Sequence, residues 1–431
     1  MVNKILYNMS LAILIALVSY DIALLYIYST DIPFWDTWDL MPKGGFSHIF
    51  EFYNENMQLF YFIISEIVYK FFDWNLRYFN FINFAIYLLL AFVYLIILSK
   101  ANSNKNCFYP IFLCALFTPM LGFNWLWVFL VQTHTFILFF LLAIYWGYTK
   151  DDKSYSVYLY GICLFFSIVS MNIPLAIGGY IAYIIKEIIN IKKNNIAINI
   201  KKCVILSVLF LLFYFVLTVI TTPDRFIRVN LSNNIFTYLY IKHLSFYIVN
   251  CLSLFSLADI ISEKVCIFWF VLHFILLAIV FFEQYKDKEK QSLWGILFST
   301  LFCVCGVVSF RGGEVYSYGL SYIRHNETAF MMIPATLMVL FLSKYKIIKL
   351  YGYILLCLML YGVVFDIKSE KFKFFGELFY KNGCVCLNHY WNLKTIDTWE
   401  CKMNFPIAHG TGIEIGKKMK LGFIETMKNC N

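Results

Sequence analysis

The chain has 431 residues and a formal net charge of +9; 61% of its residues are hydrophobic, 14% are charged, and the mean hydropathy is +0.70. A soluble domain is about a quarter charged and about half apolar, so this composition excludes a soluble enzyme, a disordered chain and a secreted disulfide scaffold. Apolar stretches recur from end to end, and the positive balance reads as lysine gathered in the cytoplasmic loops of a polytopic membrane protein rather than as a nucleic-acid surface.

The first apolar run, Met9 to Ser29, follows a short Lys-bearing N-terminus and precedes Thr30, Asp31, Ile32 and Pro33. No small-residue cleavage site is present there, so the run reads as a retained helix rather than a signal peptide. Further runs start near Phe79, Cys107, Gln132, Tyr155, Pro174, Cys203, Val265, Ser292, Glu327 and Leu350. Each approaches the roughly 20 residues that cross a hydrocarbon core, so the expected fold class is an all-α polytopic membrane protein with about 11 transmembrane helices. Segments 57–72, interrupted by Glu66, and 246–262, interrupted by Asp259, read as helices lying at the outer interface. Residues 1–366 are expected to form the multi-span domain, and 367–431 a polar tail.

Lysine placement orients the spans. Lys100 and Lys105, Lys150 and Lys153, Lys186 to Lys202, Lys286 to Lys290 and Lys344 to Lys349 fall in alternate connections. All become cytoplasmic if the N-terminus is cytoplasmic, and an odd number of crossings then puts the tail outside. Lys368, Lys371 and Lys373 pull the other way. Cys384, Cys386, Cys401 and Cys430 support an outer tail, where they permit disulfides; their spacing is not that of a zinc ribbon. Cysteines inside apolar runs, such as Cys114 and Cys163, read as packing residues. Under this topology Arg77, Arg225, Arg228, Arg311 and Arg324, all of the chain's arginines, lie outside. Scarcity of Arg follows from an A/T-rich gene, but its one-sidedness does not. The planar guanidinium suits phosphate oxygens better than the point charge of Lys.

The polar groups gather into four constellations. The first outer connection, about residues 30–57, carries Asp31, Asp36, Asp39, Glu51 and Glu55 among Phe34, Trp35 and Trp38. Asp36 and Asp39, one helical turn apart, suit a general base for a sugar hydroxyl or ligands for a divalent cation such as Mg or Mn. The plainer reading is a solvated loop capping a helix. The second, SFRGGEVYSYGLSYIRHNETAF at 309–330, holds Arg311, Glu314, Arg324, His325, Asn326 and Glu327 beside Tyr316, Tyr318 and Tyr322. It suits a phosphate-linked sugar at a helix N-terminus, or else a polar hairpin with internal ion pairs. The third supplies Asp224, Arg225 and Arg228, with Lys242 and His243 following. The fourth brings Asn124, Gln132 and His134 to the outer ends of two spans, where His134 reads as a structural residue.

Neither a Walker loop nor HExxH, GxGxxG or GxSxG occurs in the sequence. An enzyme on the outer face has no nucleotide sugars and needs a lipid-linked donor. The long first helix, the PFWDTWD loop with Asn54-Glu55-Asn56, and the SFRGG to YIRHNE segment together resemble integral-membrane glycosyltransferases of the GT-C class. They most resemble the bacterial and phage Gtr-type glucosyltransferases that modify O-antigen in serotype conversion. The resemblance implies a GT-C-like fold and a bacterial inner-membrane location with the active site facing the periplasm. It implies a polyprenyl-phosphate-sugar donor, an O-antigen or other lipid-linked glycan acceptor, and catalytic acids Asp36, Asp39 and Glu55. Glu55 is followed here by Asn56, where the family tends to carry His. Donor-phosphate contacts are expected from Arg311, Arg324 and His325, with Arg225 and Arg228. No nucleic-acid partner is expected. The alternatives are an O-antigen polymerase and a lipid-linked sugar transporter or flippase. A transporter needs charge inside its spans, and these spans read as almost uncharged.

Overall fold

The computed structural model describes residues 2–33, 37, 40–48, 52–53, 56–102, 107–150, 153, 155–169, 173–190, 196–220, 238–254, 256–257, 261–317, 323–377, 384 and 417–424. Within these it describes backbone alone at 48, 52–53, 56–57, 168–169, 173, 214–220, 238–239, 310–317 and 323–326. The described chain is helical apart from a small hairpin, in which β1 (Phe52–Tyr53) pairs antiparallel with β2 (Asn56–Met57).

The helices are α1 (Val2–Tyr28), α2 (Leu59–Phe72), α3 (Leu76–Ala101), α4 (Gly122–Leu126), α5 (Val131–Ile144), α6 (Ser156–Val169), α7 (Ile173–Asn190) and α8 (Ile196–Ile220). They continue as α9 (Tyr238–Leu252), α10 (Glu263–Gln284), α11 (Gln291–Ser317), α12 (Ile323–Phe330), α13 (Met332–Phe341), α14 (Lys346–Lys368) and α15 (Lys371–Glu377). Eight helical segments among the described residues are long and apolar enough to cross a membrane. These are Val2–Tyr28, Leu76–Ala101, Tyr109–Leu126, Val128–Thr149, Ile196–Phe213, Glu263–Gln284, Gln291–Ser309 and Lys346–Lys368. The expected starts near Tyr155, Pro174 and Glu327 coincide with α6, α7 and the α12–α13 pair.

Two spans form the centre of the bundle. Tyr109–Leu126 is wholly enclosed, and Val128–Thr149 nearly so, whereas α8 and α10 turn most of their apolar surface outward. The central segment is not one α-helix. Tyr109–Phe117 is a 3-10 helix, Thr118 is extended, and Pro119 opens a short turn into α4. Proline cannot continue a ladder of backbone hydrogen bonds, and Asp366 of α14 meets the break, accepting from the Thr118 hydroxyl and from Met120 N–H. Elsewhere small residues bring helices together, as expected where lipid supplies no hydrophobic drive. A methyl group built on Gly178 of α7 would lie 2.9 Å from Ser299 Cα of α11.

Of the two segments expected to be interfacial helices, one is helical almost throughout and the other is not. Segment 57–72 is largely α2, terminated by left-handed Asp73 and Trp74 (φ 51° and 55°). In 246–262, by contrast, the helix stops at Leu252. Ser253 and Ser256 turn their hydroxyls back onto the carbonyls of Asn250 and Ser253, at 3.1 and 2.7 Å, which competes with a helical ladder.

The helix ends form two groups. At one end Asp31 accepts from Leu76 N–H at 2.7 Å, capping α3. Phe372 of α15 lies against Tyr28 and Trp125, and Gly422 N–H donates to Asp73 O at 2.6 Å. At the opposite end Lys186 donates to Gly147 O at 2.7 Å, Asn190 to Gln291 at 3.1 Å, and Gln284 to Val339 O at 3.0 Å.

Candidate functional site

The α15 end contains a buried polar cluster, and its origin is local. Helix α4 stops at Leu126, which leaves its last carbonyls without helical partners. Helix α3 answers with two asparagines one turn apart. Asn83 Nδ2 donates to Asn124 O at 3.1 Å and reaches Trp125 O at 3.4 Å. Asn80, oriented with its oxygen accepting from Ser29 Oγ, donates to Leu126 O at 3.1 Å and Trp125 O at 3.2 Å. In hydrocarbon every such group must find a partner inside the protein.

With its amide nitrogen committed to carbonyls, Asn83 turns its oxygen to His134 Nδ1, at 2.5 Å. That oxygen can only accept, so His134 Nδ1 carries a hydrogen. The other ring nitrogen, Nε2, lies 2.6 Å from Glu327 Oε1. Both side chains are fully buried, and the Tyr87 ring lies edge-on to the imidazole, 4.8 Å away. The pair therefore shares one proton, written either as imidazolium and carboxylate or as imidazole and carboxylic acid. Glu327 Oε2 has no hydrogen-bond partner among the described residues. Chemically this is a proton acceptor or donor with one open oxygen and a fixed tautomer behind it.

The dyad ties α5 to α12, and α12 carries Arg324 and His325 within one turn of Glu327. On its other side α5 presents Gln132, whose Oε1 accepts from Tyr61 N–H at 3.0 Å and holds the start of α2. Helix α2 in turn presents buried Glu66 to the backbone N–H groups of Lys43 and Gly44, at 2.7 and 3.2 Å. Thus the first connection, α2, α5 and α12 are held to one another by polar contacts at one end of the bundle.

Of the expected site residues, Asp36, Asp39, Glu55, Arg225 and Arg228 lie outside the described residues. Arg311 is on α11, and Arg324 and His325 are on α12, with backbone described alone. Arg77 at the head of α3 is exposed and donates to Tyr26 O at 3.1 Å. Among the described residues no group of three or more His, Cys, Asp or Glu is placed to hold a metal; Asp36 and Asp39 are not among them. The reading of His134 as structural misses its carboxylate partner, although both residues stand in the polar constellations of the sequence. Asn83 is missed altogether. So is Asp21, fully buried inside α1, which corrects the expectation of almost uncharged spans. Its signal was legible, as a lone acid within an apolar run.

Comparison of the chain with family models, curated proteins and solved structures finds no match in any of the three.

Proposed function

We propose that the chain is a glycosyltransferase of about 11 spans with a GT-C-like fold, lying in a bacterial inner membrane. In this reading it moves a sugar, glucosyl on the resemblance, from a polyprenyl-phosphate donor to O-antigen on the periplasmic face. The acceptor hydroxyl oxygen attacks the anomeric carbon, and the bond from that carbon to the phosphate oxygen breaks. Polyprenyl phosphate leaves with the electron pair. Asp36 or Asp39 takes the hydroxyl proton, Glu55 is the third acid the resemblance assigns to catalysis, and a divalent cation such as Mg or Mn would be held by Asp36 and Asp39. Arg311, Arg324 and His325, with Arg225 and Arg228, neutralise the leaving phosphate.

The observation that supports this reading best is one-sided convergence. The first connection, through Glu66 and α2, and the arginine-bearing α12, through Glu327, are both tied to the first turn of α5. A disulfide supports the side. Cys384, seven residues beyond the end of α15 in the chain, is disulfide-bonded, and disulfides persist in oxidising compartments such as the periplasm.

The test is mass spectrometry of the O-antigen repeat from a host that makes a polyprenyl-phosphate sugar, with and without the protein. The expected result is a gain of one hexose per repeat, lost in Asp36→Asn or Asp39→Asn at equal expression. Full transfer by both variants would remove the assigned acids, and an unchanged repeat with altered chain length would favour the polymerase. One observation favours a second reading, a transporter of lipid-linked sugars. Asp21 lies within α1, and among the described residues neither of its carboxyl oxygens has a hydrogen-bond partner. Movement of the lipid-linked sugar across vesicles without transfer to acceptor would select that reading.

A further inference from the structure

Asp21 stands apart from the transfer chemistry. It lies seven residues before the end of α1, about 10 Å along the helix at 1.5 Å per residue. Its side chain is fully buried, and both oxygens lack a hydrogen-bond partner among the described residues. Among the described residues, those coupled electrostatically to it are Tyr20 of its own helix, Tyr87 of α3 and Cys114 in the middle of the 3-10 segment. None of these is a cation. Helix α15, which also packs on α1, contributes Lys371, Lys373 and Glu377, and none of them bonds to Asp21. Helix α4 contributes no titratable side chain. A carboxyl group held inside an apolar span is costly unless it is solvated, paired or used, and among the described residues neither solvation nor pairing is provided.

A second, independent feature faces it. Tyr109–Phe117 is a nine-residue 3-10 helix, whereas such runs rarely exceed about four residues and mark hinges when they do. The segment is enclosed on all sides, breaks at Thr118 and Pro119, and is anchored beyond the break by Asp366. Broken spans of this kind are tolerated in membranes only where protein or a polar cavity surrounds them, and they serve ion sites. We propose that Asp21 is an intramembrane proton site: when the facing 3-10 segment rearranges and admits water, the carboxylic acid gives its proton to that water and is left as a carboxylate, and the reverse step reloads it. The proposal does not depend on sugar transfer. A failed transfer assay leaves it standing, and its own failure leaves the transferase reading untouched.

The test is infrared spectroscopy of the purified full-length protein in detergent or lipid, titrated from mildly acidic to strongly alkaline pH. The expected result is a carboxylic-acid C=O band that is absent in Asp21→Asn. The band should weaken as pH rises, with a matching change in the amide bands of the backbone. Asp21→Glu, which keeps the acid, should shift the band rather than remove it, and it serves if the Asn variant does not fold. Absence of the band from the native protein overturns the proposal, because Asp21 would then be ionised. A band of constant intensity at every pH also overturns it, because the acid would be a static packing group.

Discussion

Asn83 decides what His134 can do. It gives its amide hydrogens to the orphan carbonyls of α4, so its oxygen alone is left for the imidazole. Replacement by Ala would leave the Asn124 carbonyl and a ring N–H without their partner, Trp125 O keeping Asn80, and each unsatisfied buried group costs about 1–3 kcal/mol. Asn83→Ala should therefore lower the thermal midpoint of the purified protein clearly. Glu327→Gln should be milder, since its amide can still donate to Nε2. His134→Ala should be the most damaging of the three, because it abandons both partners. Thermal unfolding followed by intrinsic fluorescence in detergent ranks them, and equal effects would mean that the network does not act through the tautomer described. Half of this site was legible beforehand. His134 and Glu327 are polar residues at the edges of apolar runs, but they are 193 residues apart, and no periodicity links such positions. Asn83 sits inside an apolar run, where a single amide leaves almost no mark on hydropathy.

At the level of elements, eight of the expected spans were legible by length alone, because hydrocarbon thickness sets how many apolar residues are needed. The internal break of Tyr109–Leu126 was not read, although Pro119 and Gly122 mark it, because a hydropathy run is blind to hydrogen-bond pattern. Asp366 closes this break. Removing its carboxyl in Asp366→Ala would strand the Thr118 hydroxyl and Met120 N–H, with a loss of about 1–3 kcal/mol. The expected outcome is a lower thermal midpoint and faster proteolysis or exchange around 117–121, and an unchanged midpoint would show that water replaces the cap. Close packing provides a second check at this scale. The backbone of Ser299 blocks any side chain at Gly178, and backbone cannot rotate away as a side chain would. Overpacking in a filled core costs typically about 1–3 kcal/mol. Gly178→Leu should accordingly reduce the monodisperse fraction on size-exclusion chromatography more than Gly45→Leu, whose surroundings are open.

For the whole molecule the decisive quantity is sidedness, since both proposals assign chemistry to particular depths and faces. The opposite end collects Lys100, Lys150, Lys286, Lys288, Lys290, Lys344 and Lys346 at or beside helix ends, which follows the cytoplasmic bias of positive loops. The α15 end also carries lysines, Lys371 and Lys373, so charge alone leaves the two faces less distinct than the disulfide at Cys384 does. Single-cysteine reporters separate them. In intact cells a membrane-impermeant maleimide should label Lys373→Cys, which is exposed beside the site. It should label Lys288→Cys only after the membrane is opened. The native tail cysteines should react only after reduction. The reverse pattern would turn the site toward the cytoplasm, where nucleotide sugars are abundant and thiols stay reduced. That would remove both the need for a lipid-linked donor and the reason for a tail disulfide, so one labelling experiment tests the orientation on which the sugar-transfer reading depends.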